Sequence, residues 1–132
     1  MDLSTFKQSL IPLTDKLLYS SESDYPFEFV DVNNKNQQDF IQTIKALYPA
    51  DAPSSTMTGS DFFNRTIHNL EMSGDDVMIA VAGRYKKLQS FLASNAQDVS
   101  IWRFGKTEVG IYIVIQTHDA GFAVLKTTSI ET

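Results

Sequence analysis

Between Val109 and Gln116 the chain has no polar face. Val109, Ile111, Ile113 and Ile115 share one side of an extended segment, and Tyr112 and Val114 take the other. A strand with two apolar faces has to be covered on both, so it belongs inside a layered structure rather than on an open sheet. Strands are also expected at Val99 to Phe104, before a Gly105-Lys106 turn, and at Phe122 to about Ile130, after a turn at Asp119-Ala120-Gly121. Three strands in a row following a helix-rich first half imply one sheet sandwiched by helices.

Apolar spacing supplies the covering helices. Phe6, Leu10, Leu13 and Leu17 step by helical intervals, with Pro12 either kinking that helix or starting its second half, and an end is expected near Ser20–Ser21. Pro26 to Val32 reads as a strand with Phe27, Phe29 and Asp31 on one face. Phe40, Ile41, Ile44 and Leu47 mark a second helix, stopped by Tyr48-Pro49. Residues 49–60 read as a loop with room for one short strand, and Ser60 is suited to cap a short helix carrying Phe62 and Phe63. The longest helix opens at Ser73-Gly74-Asp75-Asp76, shows Val77, Val81, Tyr85, Leu88 and Leu92 on one face, and stops around Asn95.

A chain of 132 residues suits one domain, residues 1–132, and can fold without disulfide or metal. It contains no Cys, which excludes thiolate catalysis and Cys-ligated zinc and fits the cytoplasm. No signal segment and no membrane span is legible, and the sequon Asn64-Arg65-Thr66 reads as background. Residues 1–61 hold nine acids against four lysines, whereas residues 62–132 hold seven of each sign. The net charge of −5 therefore lies in the first half. Such a chain lacks the basic footprint for direct nucleic-acid binding. It is suited instead to bind a protein that binds nucleic acid, although the same charge also serves ordinary solubility.

Enzymatic patterns are missing. Asp31 to Gln42 follows a calcium loop only loosely, without Gly at the sixth position or Glu at the twelfth. His68 and His118 lie far apart and form no metal-ligand grouping, no GxSxG elbow or Gly-rich phosphate loop occurs, and Asp75-Asp76 suits a helix N-terminus. No cofactor of its own is expected. What remains is Ser20 to Glu28, polar and acidic, between a helix and a strand. On pattern alone it is either a functional loop or simply a polar helix exit.

Three blocks carry a resemblance. They are Leu17-Leu18-Tyr19 with Ser21-Glu22-Ser23-Asp24-Tyr25-Pro26-Phe27-Glu28; Asp61-Phe62-Phe63-Asn64-Arg65; and the C-terminal part with Lys87-Leu88, the three strands and Ile130-Glu131-Thr132. In this order the chain resembles the nuclease A inhibitor family, least closely over residues 31–58. The resemblance implies an α/β (α+β) fold: a single three-layer α/β/α sandwich with a mixed, largely antiparallel sheet, similar to plant pathogenesis-related proteins. It also implies a non-enzymatic protein that inhibits a magnesium-dependent, sugar-non-specific ββα-metal nuclease acting on DNA and RNA.

By the same resemblance, Glu22 in its loop Ser21, Ser23 and Asp24 would imitate the scissile phosphate. The hydroxyl of the C-terminal Thr132 would reach the magnesium of the partner nuclease. A fixed carboxylate and a hydroxyl oxygen are the chemistry that a basic cleft with a hard cation takes up. The family has a second contact, an Asp followed by Trp, before the long helix. The corresponding residues here are Glu71 and Met72: the acid is kept in type and the Trp is absent, the only one being Trp102. A missing aromatic anchor implies lower affinity for the same nuclease or a different cognate one. The competing expectation is a non-inhibitory binding or regulatory domain on the same scaffold, and a hydrolase with an unrecognised site ranks below both.

Overall fold

The computed structural model describes residues 1–119 and 121–132. Helix α1 (Leu3–Thr14) starts at Asp2, whose carboxylate accepts the Thr5 amide at 2.8 Å. Pro12 lies inside it, and the helix stops well before Ser20. The reason lies at Lys16, whose φ of 58° turns the chain left-handed. Leu17 keeps its place in the apolar series and is buried, but reaches the core from beyond the helix end. No basic residue of α1 occupies its last turn. Instead the Arg84 guanidinium donates to the carbonyls of Pro12, Leu13 and Asp15 at 3.4, 3.2 and 2.7 Å, placing a cation at the negative end of the helix.

Next come β1 (Leu18–Ser20), β2 (Asp24–Pro26) and β3 (Glu28–Val30). The strand expected from Pro26 to Val32 is thus divided at Phe27, whose side chain is buried. Helix α2 (Gln37–Lys45) is capped by Asn36, which accepts the Asp39 amide at 2.8 Å. Asn33 and Asn34, both left-handed, make the turn before it. Strand β4 (Ser54–Thr58) leads directly into α3 (Gly59–Glu71), capped by Thr58 rather than Ser60 and longer than expected. Gly59 is required there: an added Cβ would lie 2.7 Å from Val99. Helix α4 (Asp76–Asn95) is capped by Asp75. Strands β5 (Ala96–Phe104), β6 (Glu108–Thr117) and β7 (Phe122–Ile130) complete the chain. Of the turn expected at Asp119-Ala120-Gly121, Ala120 lies outside the described residues.

Strands β1 and β2 form a hairpin of their own. The five others form a sheet in the order β3-β7-β6-β5-β4. Every pairing in it is antiparallel, which is more uniform than the mixed sheet expected. The two apolar faces of β6 are covered as its composition requires. Val109, Ile111, Ile113 and Ile115 pack with Phe6, Leu10, Phe63, Tyr85 and Leu88 from α1, α3 and α4. Tyr112 and Val114 pack on the other side with Phe40, Ile41 and Ile44 of α2. These are the three layers of an α/β/α sandwich. Two residues assigned by spacing to buried faces, Leu47 and Val77, are exposed: Leu47 follows the end of α2, and Val77 lies in the first turn of α4.

Candidate functional site

The segment from Ser20 to Glu28 is neither a helix exit nor an irregular loop. Ser20 to Pro26 belong to the β1–β2 hairpin, with Ser21, Glu22 and Ser23 at its tip, and Glu28 opens β3. The tip is built by Ser21, whose amide and hydroxyl both donate to the Ser23 carbonyl, at 3.0 and 2.9 Å. Asp24 stands opposite Ser20 in the hairpin register and is exposed. At the hairpin base the Tyr19 ring stacks on Phe62 with centroids 5.7 Å apart, and Tyr85 donates to the Leu18 carbonyl at 2.8 Å. Burial raises the pKa of both phenols, so both stay neutral at physiological pH. A two-stranded ribbon has little stability alone. Here, packing against α3 and α4 holds it in place.

The end of β7 and the two residues after it run along this tip. The Ile130 amide donates to the Ser21 hydroxyl at 2.9 Å, and the Thr132 amide donates to Glu22 Oε2 at 3.1 Å. Between them, the Glu131 amide points the opposite way, to the Thr107 carbonyl at 2.7 Å. That alternation is the habit of an extended chain, here bridging the hairpin tip and the β5–β6 turn. The Thr132 hydroxyl, with a single proton, donates across both carboxylate oxygens of Glu22 at 2.7 and 2.6 Å. Glu22 and Thr132, 110 positions apart in the chain, are therefore in direct contact, and both are exposed.

Glu131 turns its side chain to Arg103 of β5, at 2.5 Å. Partial burial pushes the Glu131 carboxyl up, but the Ser129 hydroxyl and the Arg103 guanidinium together hold it below the usual carboxylate range. Arg103 belongs to no sequence motif, although its position carries a signal. It shares strand parity with Val99 and Ile101, both on the α3/α4 face, so it is a cation at an otherwise core-facing position.

Glu71 and Met72 end α3, with Met72 as its C-cap. Glu71 pairs with Lys86 at 2.7 Å, both side chains largely exposed, and Met72 is 71% exposed. Neither joins the hydrogen bonds around Glu22. Their neighbours Leu70 and Ser73 nevertheless line a groove of about 380 Å³ whose opposite wall includes Leu18, Tyr19 and Ser20. Arg65 and Arg103 also line this groove, which is mostly apolar. The α3–α4 turn and the hairpin thus flank one depression.

The remaining candidates for chemistry stay apart. His68 and His118 are exposed, and among the described residues no group of three or more His, Asp or Glu is arranged to hold a metal. The Asp31 carboxylate accepts the Asn33 amide at 2.8 Å, a local turn contact. No helix among the described residues is long and apolar enough to cross a membrane. The family model described as nuclease A inhibitor-like protein matches residues 4–132. No curated protein matches the chain.

Proposed function

The chain belongs to the nuclease A inhibitor-like family, and from that premise we propose that it blocks the active site of a magnesium-dependent, sugar-non-specific nuclease. The observation that carries this reading is the contact between Glu22 and Thr132 at 2.6 Å on an exposed hairpin tip. It sets a carboxylate and a hydroxyl side by side, on a support built by Ser21 and Ile130. A nuclease that cleaves phosphodiesters offers a basic cleft and a hard cation. The Glu22 carboxylate supplies negative charge where phosphate sits, yet its carbon carries no ester oxygen to be displaced, so there is nothing to cleave. The Thr132 hydroxyl donates its hydrogen bond to Glu22 and keeps its lone pairs for the magnesium, which belongs to the nuclease. The inhibitor brings no metal and no catalytic group of its own.

The acidic first half steers the protein toward such a cleft and away from nucleic acid. Ser23 and Asp24 extend the contact along the hairpin, and Glu71 and Met72 make a second contact across the groove. Met72 in place of an aromatic anchor adjusts which nuclease is held. The test mixes purified protein with such a nuclease and magnesium and follows DNA cleavage against inhibitor concentration. A linear fall to a stoichiometric end point is expected. Undiminished cleavage at large molar excess, with complex formation shown by gel filtration, would instead identify a non-inhibitory binding domain.

A further inference from the structure

The geometry points to Arg103 as the positioning residue that sets Thr132 against Glu22, an inference that rests on the inhibitory role of that pair. Arg103 stands where the two halves of the site meet. Its guanidinium pairs with Glu131, the residue directly before Thr132. Its charge also acts on the Tyr19 hydroxyl in β1, as does that of Glu131. It lines the groove walled by Leu18, Tyr19 and Ser20, and a second hollow shared with Gly105, Lys106 and Glu131. It comes from a nine-residue strand paired on both sides, so its backbone is fixed by the sheet.

The chain beyond β7 has no such support. Ile130 is still held by β7 and by the hairpin tip, but Glu131 and Thr132 each donate a single backbone hydrogen bond, to Thr107 and Glu22. Exposed bonds of this kind open readily. The Arg103 side chain is only 23% exposed and Glu131 43%, so their ion pair is partly shielded from solvent, whereas Glu22 and Thr132 are exposed. With Glu131 pinned, the alternation of an extended chain leaves Thr132 no choice of side: its amide and hydroxyl face the hairpin. Without the pin, residues 131 and 132 recover backbone and side-chain freedom, which binding then has to remove again. Arg103 therefore contributes little to global stability, as partly exposed ion pairs generally do, and much to the readiness of the site.

The test compares wild type, Arg103→Gln, Arg103→Lys, Glu131→Gln and the double variant Arg103→Gln/Glu131→Gln. Amide hydrogen exchange on the free protein reads the segment directly. Arg103→Gln is expected to speed exchange at Glu131 and Thr132 by about tenfold or more while amides of β5 and β6 keep their protection. Inhibition constants are expected to rise about tenfold in each single variant and by no more in the double variant, because both remove the same pair. Arg103→Lys, which keeps the charge, is expected to recover part of the loss. Unchanged exchange at Glu131 and Thr132 in Arg103→Gln overturns the proposal, as do losses that multiply in the double variant. If the wild-type protein does not inhibit, the inhibitory reading fails by itself, and the exchange measurement still decides whether Arg103 orders the segment.

Discussion

Glu22→Gln separates the site's chemistry from its architecture. In the free protein the carboxylate receives one amide proton and one shared hydroxyl proton, all from Thr132. The amide side chain keeps one acceptor and replaces the other with a donor, so one of these bonds is lost. Because both residues are exposed, water takes its place, and the expected cost to folding is below about 1 kcal/mol. For a chain this long that moves the thermal midpoint by no more than about 5 °C. In the proposed complex water would be excluded and the charge would be what the cleft recognises. Losing one member of such a desolvated charge pair costs about 2–5 kcal/mol, or about 30- to 5,000-fold in the inhibition constant. The assay is a titration of DNA cleavage at fixed nuclease and magnesium, run beside thermal unfolding of the free variant. An inhibition constant within twofold of wild type would refute the phosphate-mimic role, because no desolvated carboxylate could then be facing the cleft.

Thr132→Val keeps the side-chain shape and removes the hydroxyl; inhibition is expected to weaken at least about tenfold with thermal unfolding unchanged, checked by the same paired assays. Association with the nuclease is expected to slow as salt rises while dissociation changes less, read by stopped-flow mixing, and indifference to salt would reduce the acidic excess to solubility charge. Leu88→Ala, at a fully buried position between α4 and the sheet, is expected to cost about 2–5 kcal/mol in denaturant unfolding. The Asp2 carboxyl, through the Thr5 amide, and the Asp119 carboxyl, through the Thr117 hydroxyl, are held below their ordinary value of 3.8. The Glu131 carboxyl is likewise held below its ordinary value of 4.5; the stabilisation from all three is complete above these values and lost as pH falls through the depressed folded-state values, so the unfolding midpoint should begin to drop below about pH 4.5.

The layered fold was legible because β6 is apolar on both faces and had to be enclosed, and because Tyr85, Leu88 and Leu92 keep strict helical spacing. Spacing misled where the chain changes direction. Leu17 continues the series begun at Phe6, yet the helix has already ended, because the left-handed turn at Lys16 has no marker such as Gly or Asn. The hairpin was illegible for a related reason. Strands of three residues are too short for alternation to register, and β1 is held by Tyr85 and Phe62, distant in sequence. At the site, the family resemblance drew attention to Glu22 and Thr132. Their mutual hydrogen bond, and the part of Arg103, depend on which side of an extended segment each residue falls, and that is settled only by pairing between remote strands.

The position of β7 has a consequence for how the protein matures. It lies between β3 and β6, so its pairing with Glu28–Val30 joins parts of the chain almost a hundred residues apart. Such a closure comes late in folding, since a very long loop has to be shut before any contact rewards it. The hairpin tip and the segment after β7 meet only once that closure is made. A partly folded chain therefore has no assembled site to offer, however much helix it has formed. If the proposed inhibition holds, binding competence would report that the whole sheet has closed, so that an immature molecule would not occupy a nuclease and be pulled apart there by its own instability.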